Sequence, residues 1–174
     1  PTVLAIFASF FVPVAVKKFG KRNVLMGSVF IEAVGLLLVY FAPFDNITMV
    51  LAGCVVFGLF NNAMPVTLSM LSDSVDYMDL KTGVRTDGTA YATYGLATKV
   101  GNALGGAVGV VLLAAFGYVA NQQQTVEAMN GINMVVNLIP AILYILAGLC
   151  CLFWKISDKD ADEIREKIKE RDTK

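Results

Sequence analysis

A lysine in the middle of a long apolar run leaves a chain little freedom, and here it is Lys99, within Gly88 to Phe116. At about 1.5 Å per residue it lies roughly 16 Å from the start of a run able to cross a hydrocarbon core about 30 Å thick, so its charge falls near the midplane. Such a charge costs on the order of 2.5–3.5 kcal/mol to insert, and a chain keeps it where protein or a wet cavity offsets that cost. A structural partner meets the need, and so does a substrate or ion pathway, which is the first reading of an ionisable residue inside a membrane. Ala97, Gly101, Gly105 and Gly109 recur every fourth residue and leave a face of bare backbone for packing against a neighbouring helix. Gly95 and Asn102 share the face of Lys99 and leave room around its ammonium.

Four further runs have comparable character, and the expected fold is all-α: a polytopic helical membrane protein with five spans at about residues 1–16, 24–42, 48–71, 88–116 and 132–154. Composition agrees, with 56% hydrophobic residues, 16% charged residues and a mean hydropathy of +0.65 over 174 residues. The net charge of zero describes no real part of the molecule, because the charges are segregated. Of fourteen lysines and arginines, four lie in the first loop, two between Ser72 and Asp87 and seven after Trp154, while the other two loops carry none. Five spans put all three basic segments on one side, which the positive-inside rule makes cytoplasmic. Residues 155–174 read as a charged cytoplasmic tail helix, with Ser157 and Asp160 at the capping-box offset, Glu163 and Lys167 at pairing distance, and Ile164 and Ile168 as a narrow apolar stripe. A solvated tail is the simpler expectation for it, and docking on the protein's own inner face or on a partner is the alternative. The chain opens at Pro1 inside an apolar stretch and reads as a piece of a longer protein.

Polar residues inside the spans are few. Asn61, Asn62 and Pro65 interrupt the third; Phe57, Asn61 and Met64 share a face and would line a cavity, or the amides would hold two helices together. Glu32 is the one acid inside a span and reads as locally paired or partly wetted, while Asn133 and Asn137 read as helix contacts. Cys54, Cys150 and Cys151 sit in apolar runs as small hydrophobes. No histidine, no metal-ligand cluster and no nucleophile–base pair is present, so neither an enzyme nor a metal or cofactor site is expected.

The segments Leu71-Ser72-Asp73-Ser74-Val75-Asp76-Tyr77, Lys81-Thr82-Gly83-Val84-Arg85-Thr86-Asp87-Gly88 and Lys99-Val100-Gly101 together resemble the glycoside-pentoside-hexuronide:cation symporters, the melibiose-permease family of the major facilitator superfamily. The resemblance runs on through Gly117-Tyr118 into the tail. It implies that the spans are the eighth to twelfth helices of a twelve-helix transporter whose amino-terminal half is not in this sequence. It further implies cation-coupled symport of a sugar or glycoside, with Na⁺ or H⁺ as the coupling cation. Lys99, Thr98 and Gly95 would lie by the substrate and ion sites, Asn61, Met64 and Phe57 would shape the pocket, and Asp73, Asp76 and Arg85 would belong to a cytoplasmic gate. Where the family commonly has Gly-Glu-Trp-Lys after Asp-Tyr, this chain has Met78-Asp79-Leu80-Lys81.

The expected partners are therefore the substrate, the coupling cation, the bilayer and the other half of the same transporter, with no nucleic acid, in a bacterial cell membrane. Two other readings stand beside this one: a facilitator or symporter of the same fold for a non-sugar solute, and a non-transporting membrane scaffold whose tail recruits a partner.

Overall fold

The computed structural model describes residue 6, residues 9–61 and residues 63–173. They form an all-helical chain: α1 (Val12–Phe19), α2 (Lys21–Tyr40), α3 (Ile47–Phe60), α4 (Ala63–Thr82), α5 (Asp87–Ala115), α6 (Val126–Asn133), α7 (Ile139–Cys150) and α8 (Asp158–Asp172). A π-helical turn, Met134–Leu138, joins α6 to α7, and a short 3₁₀ turn, Cys151–Phe153, follows α7. Among the described residues four stretches are long and apolar enough to cross a membrane: Lys21–Tyr40, Ile47–Thr82, Asp87–Ala115 and Val126–Phe153. The first expected span falls largely outside the described residues, and α1 is its described end.

Small residues and prolines decide how these helices meet. Gly20, at φ +81°, turns the chain between α1 and α2. A Cβ there would lie 2.7 Å from Asp158 Oδ2, the oxygen that accepts the Lys21 N–H at 3.0 Å. The first residue of α8 thus caps the free amino end of α2, where a carboxylate also suits the helix dipole. α2 and α3 cross backbone to backbone: a Cβ on Gly35 would meet Phe57 N at 2.8 Å, and one on Gly53 would meet Gly35 O at 2.7 Å. On its other side α2 packs against α7, with Phe30 and Val29 filling the space above Gly148. Asn133 donates to the Tyr40 carbonyl of α2 at 2.8 Å and so joins two helices as expected, whereas Asn137 donates to Asn133 Oδ1 at 2.8 Å within the same span. Pro140, in the first turn of α7, has no N–H for the ladder, and the helix accommodates it with the π turn just before it.

Two expectations are corrected. The interval 72–87, read as a polar connection, is helical to Thr82, because Asp73, Asp76 and Asp79 recur every third residue and so share the face that meets α8. Nor is the tail solvated: Ala161, Ile164 and Ile168 are buried. The capping box of Ser157 and Asp160 is present, but among the described residues Glu163 and Lys167 form no ion pair, and Arg165 pairs with Asp162 instead.

Glu32 lies at this helical junction with 1% exposure. Its carboxyl group faces the Tyr144 hydroxyl of α7, while Oε1 has no partner among the described residues. The contact joins α2 to α7 and does not involve Lys99. Glu32→Gln keeps an acceptor for Tyr144 and is expected to leave the thermal unfolding of the detergent-solubilised protein near wild type. Glu32→Ala leaves the half-buried Tyr144 hydroxyl without that neighbour and is expected to cost about 1–3 kcal/mol; equal unfolding of the two variants would remove the Glu32–Tyr144 contact from the account.

Candidate functional site

The last ten residues of α4, Asp73–Thr82, carry three aspartates and a lysine, too much charge for a hydrocarbon core. The acidic final turns of α4 therefore stand outside the membrane. Three aspartates at the carboxyl end of a helix oppose its dipole, and they persist because cations from three other places in the chain converge on them. Lys21 Nζ, at the start of α2, lies 2.5 Å from Asp73 Oδ2, and Arg165 Nη2, from α8, lies 2.6 Å from Asp73 Oδ1. Arg165 also reaches Asp76 at 3.6 Å. Arg171 grips Asp79 with two parallel bonds, Nη1 to Oδ1 at 3.0 Å and Nη2 to Oδ2 at 3.1 Å. Arg85, in the connection before α5, bonds Asp87 at 2.7 Å and lies 3.6 Å from Asp76 and 3.8 Å from Asp79.

The hydrogen bonds from Arg171 hold the Asp79 carboxyl below its ordinary value, and the same contact raises the guanidinium. Arg22 satisfies the last carbonyls of the neighbouring span, donating to Cys151 O and Leu152 O at 3.1 Å each.

Of the expected cluster, Asp76 and Arg85 come together, whereas Asp73 turns to Lys21 and Arg165. Asp79, Lys21, Arg165 and Arg171 were not anticipated as members. The three-residue spacing of the aspartates was a local signal for Asp79. No local signal existed for the others, since the Arg165–Asp73 and Arg171–Asp79 contacts each join residues 92 positions apart.

The residues expected along a pathway lie elsewhere. α5 has no buried residue, and Lys99, its thirteenth of 29, is exposed and, among the described residues, has no hydrogen bond or ion pair. Thr98 donates within its own helix, to Tyr94 O at 3.1 Å and Gly95 O at 2.9 Å. Among the described residues, nothing beyond the helix's own backbone comes within 4 Å of a Cβ placed on Gly95, Gly101, Gly105 or Gly109, so no other described element occupies the small-residue face at these positions. Asn61 ends α3 and is exposed at the interruption between α3 and α4, and Met64 is 63% exposed one turn beyond. Phe57 is half-buried, edge-on to Tyr144 at 6.1 Å between ring centroids. The exposed side of α5 and the α3–α4 interruption thus present a cation, an amide and apolar side chains with few partners in this chain.

These features can be set beside known proteins. Residues 1–158 match the family described as MFS/sugar transport protein. The chain is 34% identical to an Escherichia coli (strain K12) protein named for sulfoquinovose import, over 94% of this chain and 35% of that protein. It is 32% identical to the isoprimeverose transporter of Lactiplantibacillus pentosus, over 88% and 33%. It is also 31% identical to an E. coli (strain K12) protein named for 2,3-dihydroxypropane-1-sulfonate export, over 93% and 35%. The chain spans about a third of the length of these relatives. The family is one of membrane transporters rather than enzymes, and with four apolar helices of spanning length and a family match over nearly the whole chain, this is an integral membrane protein of the glycoside-pentoside-hexuronide branch of the MFS sugar transporters.

Proposed function

We propose that the full-length protein is a secondary active transporter that carries a sugar or glycoside with Na⁺ or H⁺ by alternating access. The observation that supports it most is Lys99, an ammonium in the middle of a spanning helix with no ion pair among the described residues. In transporters built from two repeats, substrate and coupling sites lie near the midplane between the halves. Lys99 would there face substrate hydroxyls or acidic groups of the other half, with Thr98 and Gly95 beside it and Asn61, Met64 and Phe57 shaping the pocket. Gly101, Gly105 and Gly109 would pack against a helix of that half.

Asp73, Asp76 and Arg85 would form the inner gate, joined by the tail. The Arg85–Asp76 pair, at 3.6 Å with an exposed guanidinium, is of the kind worth about 0–1 kcal/mol, a strength that suits a contact made and broken in every cycle, while the buried Asp73 would hold its partners more firmly. The basic segments support a cytoplasmic position for this end and for the tail in a bacterial cell, by the positive-inside rule.

A second reading, a family member for a small anionic solute, is favoured by the same unpaired cation. The scaffold reading loses its basis, because the apolar stripe that would recruit a partner is buried against this chain. Membrane vesicles of the full-length protein, loaded with buffer and given labelled glycosides under imposed Na⁺ or H⁺ gradients, are expected to accumulate a neutral glycoside only while a gradient persists. Gradient-independent equilibration would indicate a facilitator, and uptake of sulfonates or uronates alone would favour the second reading.

A further inference from the structure

An apolar groove of about 560 Å³ lies where α1, α2 and the end of α3 meet. Phe11 and Phe19 of α1, Gly27 and Ile31 of α2, and Phe60 of α3 line it. Its volume is within the range of sites that hold one small organic ligand, about 300–1,000 Å³. The two polar residues of its lining make their bonds inside the protein: Ser28 donates to Leu25 O at 2.9 Å and Asn23 to Phe19 O at 3.0 Å. The interior therefore suits hydrocarbon rather than a sugar.

Charge marks one end. Lys18 Nζ sits 5.3 Å from the centroid of the ring of Phe19, a lining residue at the loop end of α1. Of the four cations in that loop, Lys21 is taken by Asp73 and Arg22 by two carbonyls, whereas Lys17 and Lys18 are exposed and have no ion pair among the described residues. From the loop the groove descends to Ile31, ten residues into α2, a depth of roughly 15 Å and about half the hydrocarbon core. That is the thickness of one leaflet.

We infer that the groove holds an anionic phospholipid of the leaflet on the basic side, with an acyl chain between α1 and α2 and the headgroup phosphate on Lys17 and Lys18. Basic clusters at a membrane surface attract such lipids. Gly27 supplies the means of testing it, since it lines the groove and a Cβ there meets nothing within 4 Å.

The full-length transporter, delipidated in detergent, is melted with added phosphatidylglycerol or phosphatidylcholine; a lipid that binds the folded state raises Tm. Phosphatidylglycerol is expected to give the larger rise, the Lys17→Gln/Lys18→Gln double variant to lose most of that excess, and Gly27→Leu to lose the response to both lipids while melting normally without them. Equal rises with the two lipids, or an excess that survives in the double variant, would overturn the assignment. Should Gly27→Leu fail to fold, the lysine variant decides alone. A Gly27→Cys protein that resists maleimide after delipidation would likewise overturn it, by showing that a protein segment or a second copy covers the groove.

Discussion

Lys99→Ala in the full-length transporter is expected to abolish cation-coupled accumulation of substrate while the protein still reaches the membrane. The substitution removes a charge worth about 2.5–3.5 kcal/mol against insertion, so the variant enters the bilayer at least as readily as the parent. What disappears is the interaction that justifies keeping the charge. If that interaction is of similar size, its loss corresponds to roughly 100-fold in substrate or ion affinity, at about 1.4 kcal/mol per factor of ten. Lys99→Arg separates charge from shape: it preserves the positive charge and is expected to retain partial binding with altered coupling, since a planar guanidinium does not replace a compact ammonium. Transport assays at matched expression check both, and unchanged uptake in Lys99→Ala would remove the residue from the mechanism.

Asp73→Ala is the second substitution with a large expected effect, because this one carboxylate, 2% exposed, holds Lys21 of α2 and Arg165 of α8 at once. Removing one partner of a fully buried pair costs about 3–5 kcal/mol, whereas exposed pairs are worth about 0–1 kcal/mol. Lys21 is 13% exposed and Arg165 42% exposed, so the cost falls between these limits, at roughly 2 kcal/mol. The loss is expected to appear locally, as release of α8: a cysteine in place of the buried Ile168 should react with a water-soluble maleimide several-fold faster in the detergent-solubilised Asp73→Ala protein. Asp73→Asn, which keeps a hydrogen-bond acceptor but no charge, should fall between. Identical labelling rates would show that the apolar stripe of Ala161, Ile164 and Ile168 holds the tail without the ion pairs.

An apolar run long enough for a bilayer marks where a helix lies but not where it breaks or ends: the stretch read as 48–71 is two helices, Ile47–Phe60 and Ala63–Thr82, and the one read as 132–154 begins at Val126. The stretch read as 24–42 is helical over Lys21–Tyr40, and 88–116 over Asp87–Ala115. Reasoning from polarity failed at Ser72 to Thr82, where charged residues normally signal a connection. There the charges are neutralised by residues far along the chain, and a helix continues through them. The tail was misread for the same reason, since its cationic face finds its partners only once α4 and α8 lie side by side.

Periodicity, apolar length and the positions of charged residues were sufficient by themselves to determine an all-helical membrane protein, the place of Lys99 within a span and the capping of the tail helix, and the family entered through its resemblance in the segments Leu71–Tyr77, Lys81–Gly88 and Lys99–Gly101. Those features are local, and each residue carries them wherever the chain goes. Only the tertiary structure decided that Asp73 binds Lys21 and Arg165, that Glu32 meets Tyr144, that Gly35 and Gly53 touch, and that a groove opens beside Lys18. Each of these depends on which helix faces which, and that choice comes from the summed packing of small residues and prolines rather than from any pattern along one segment.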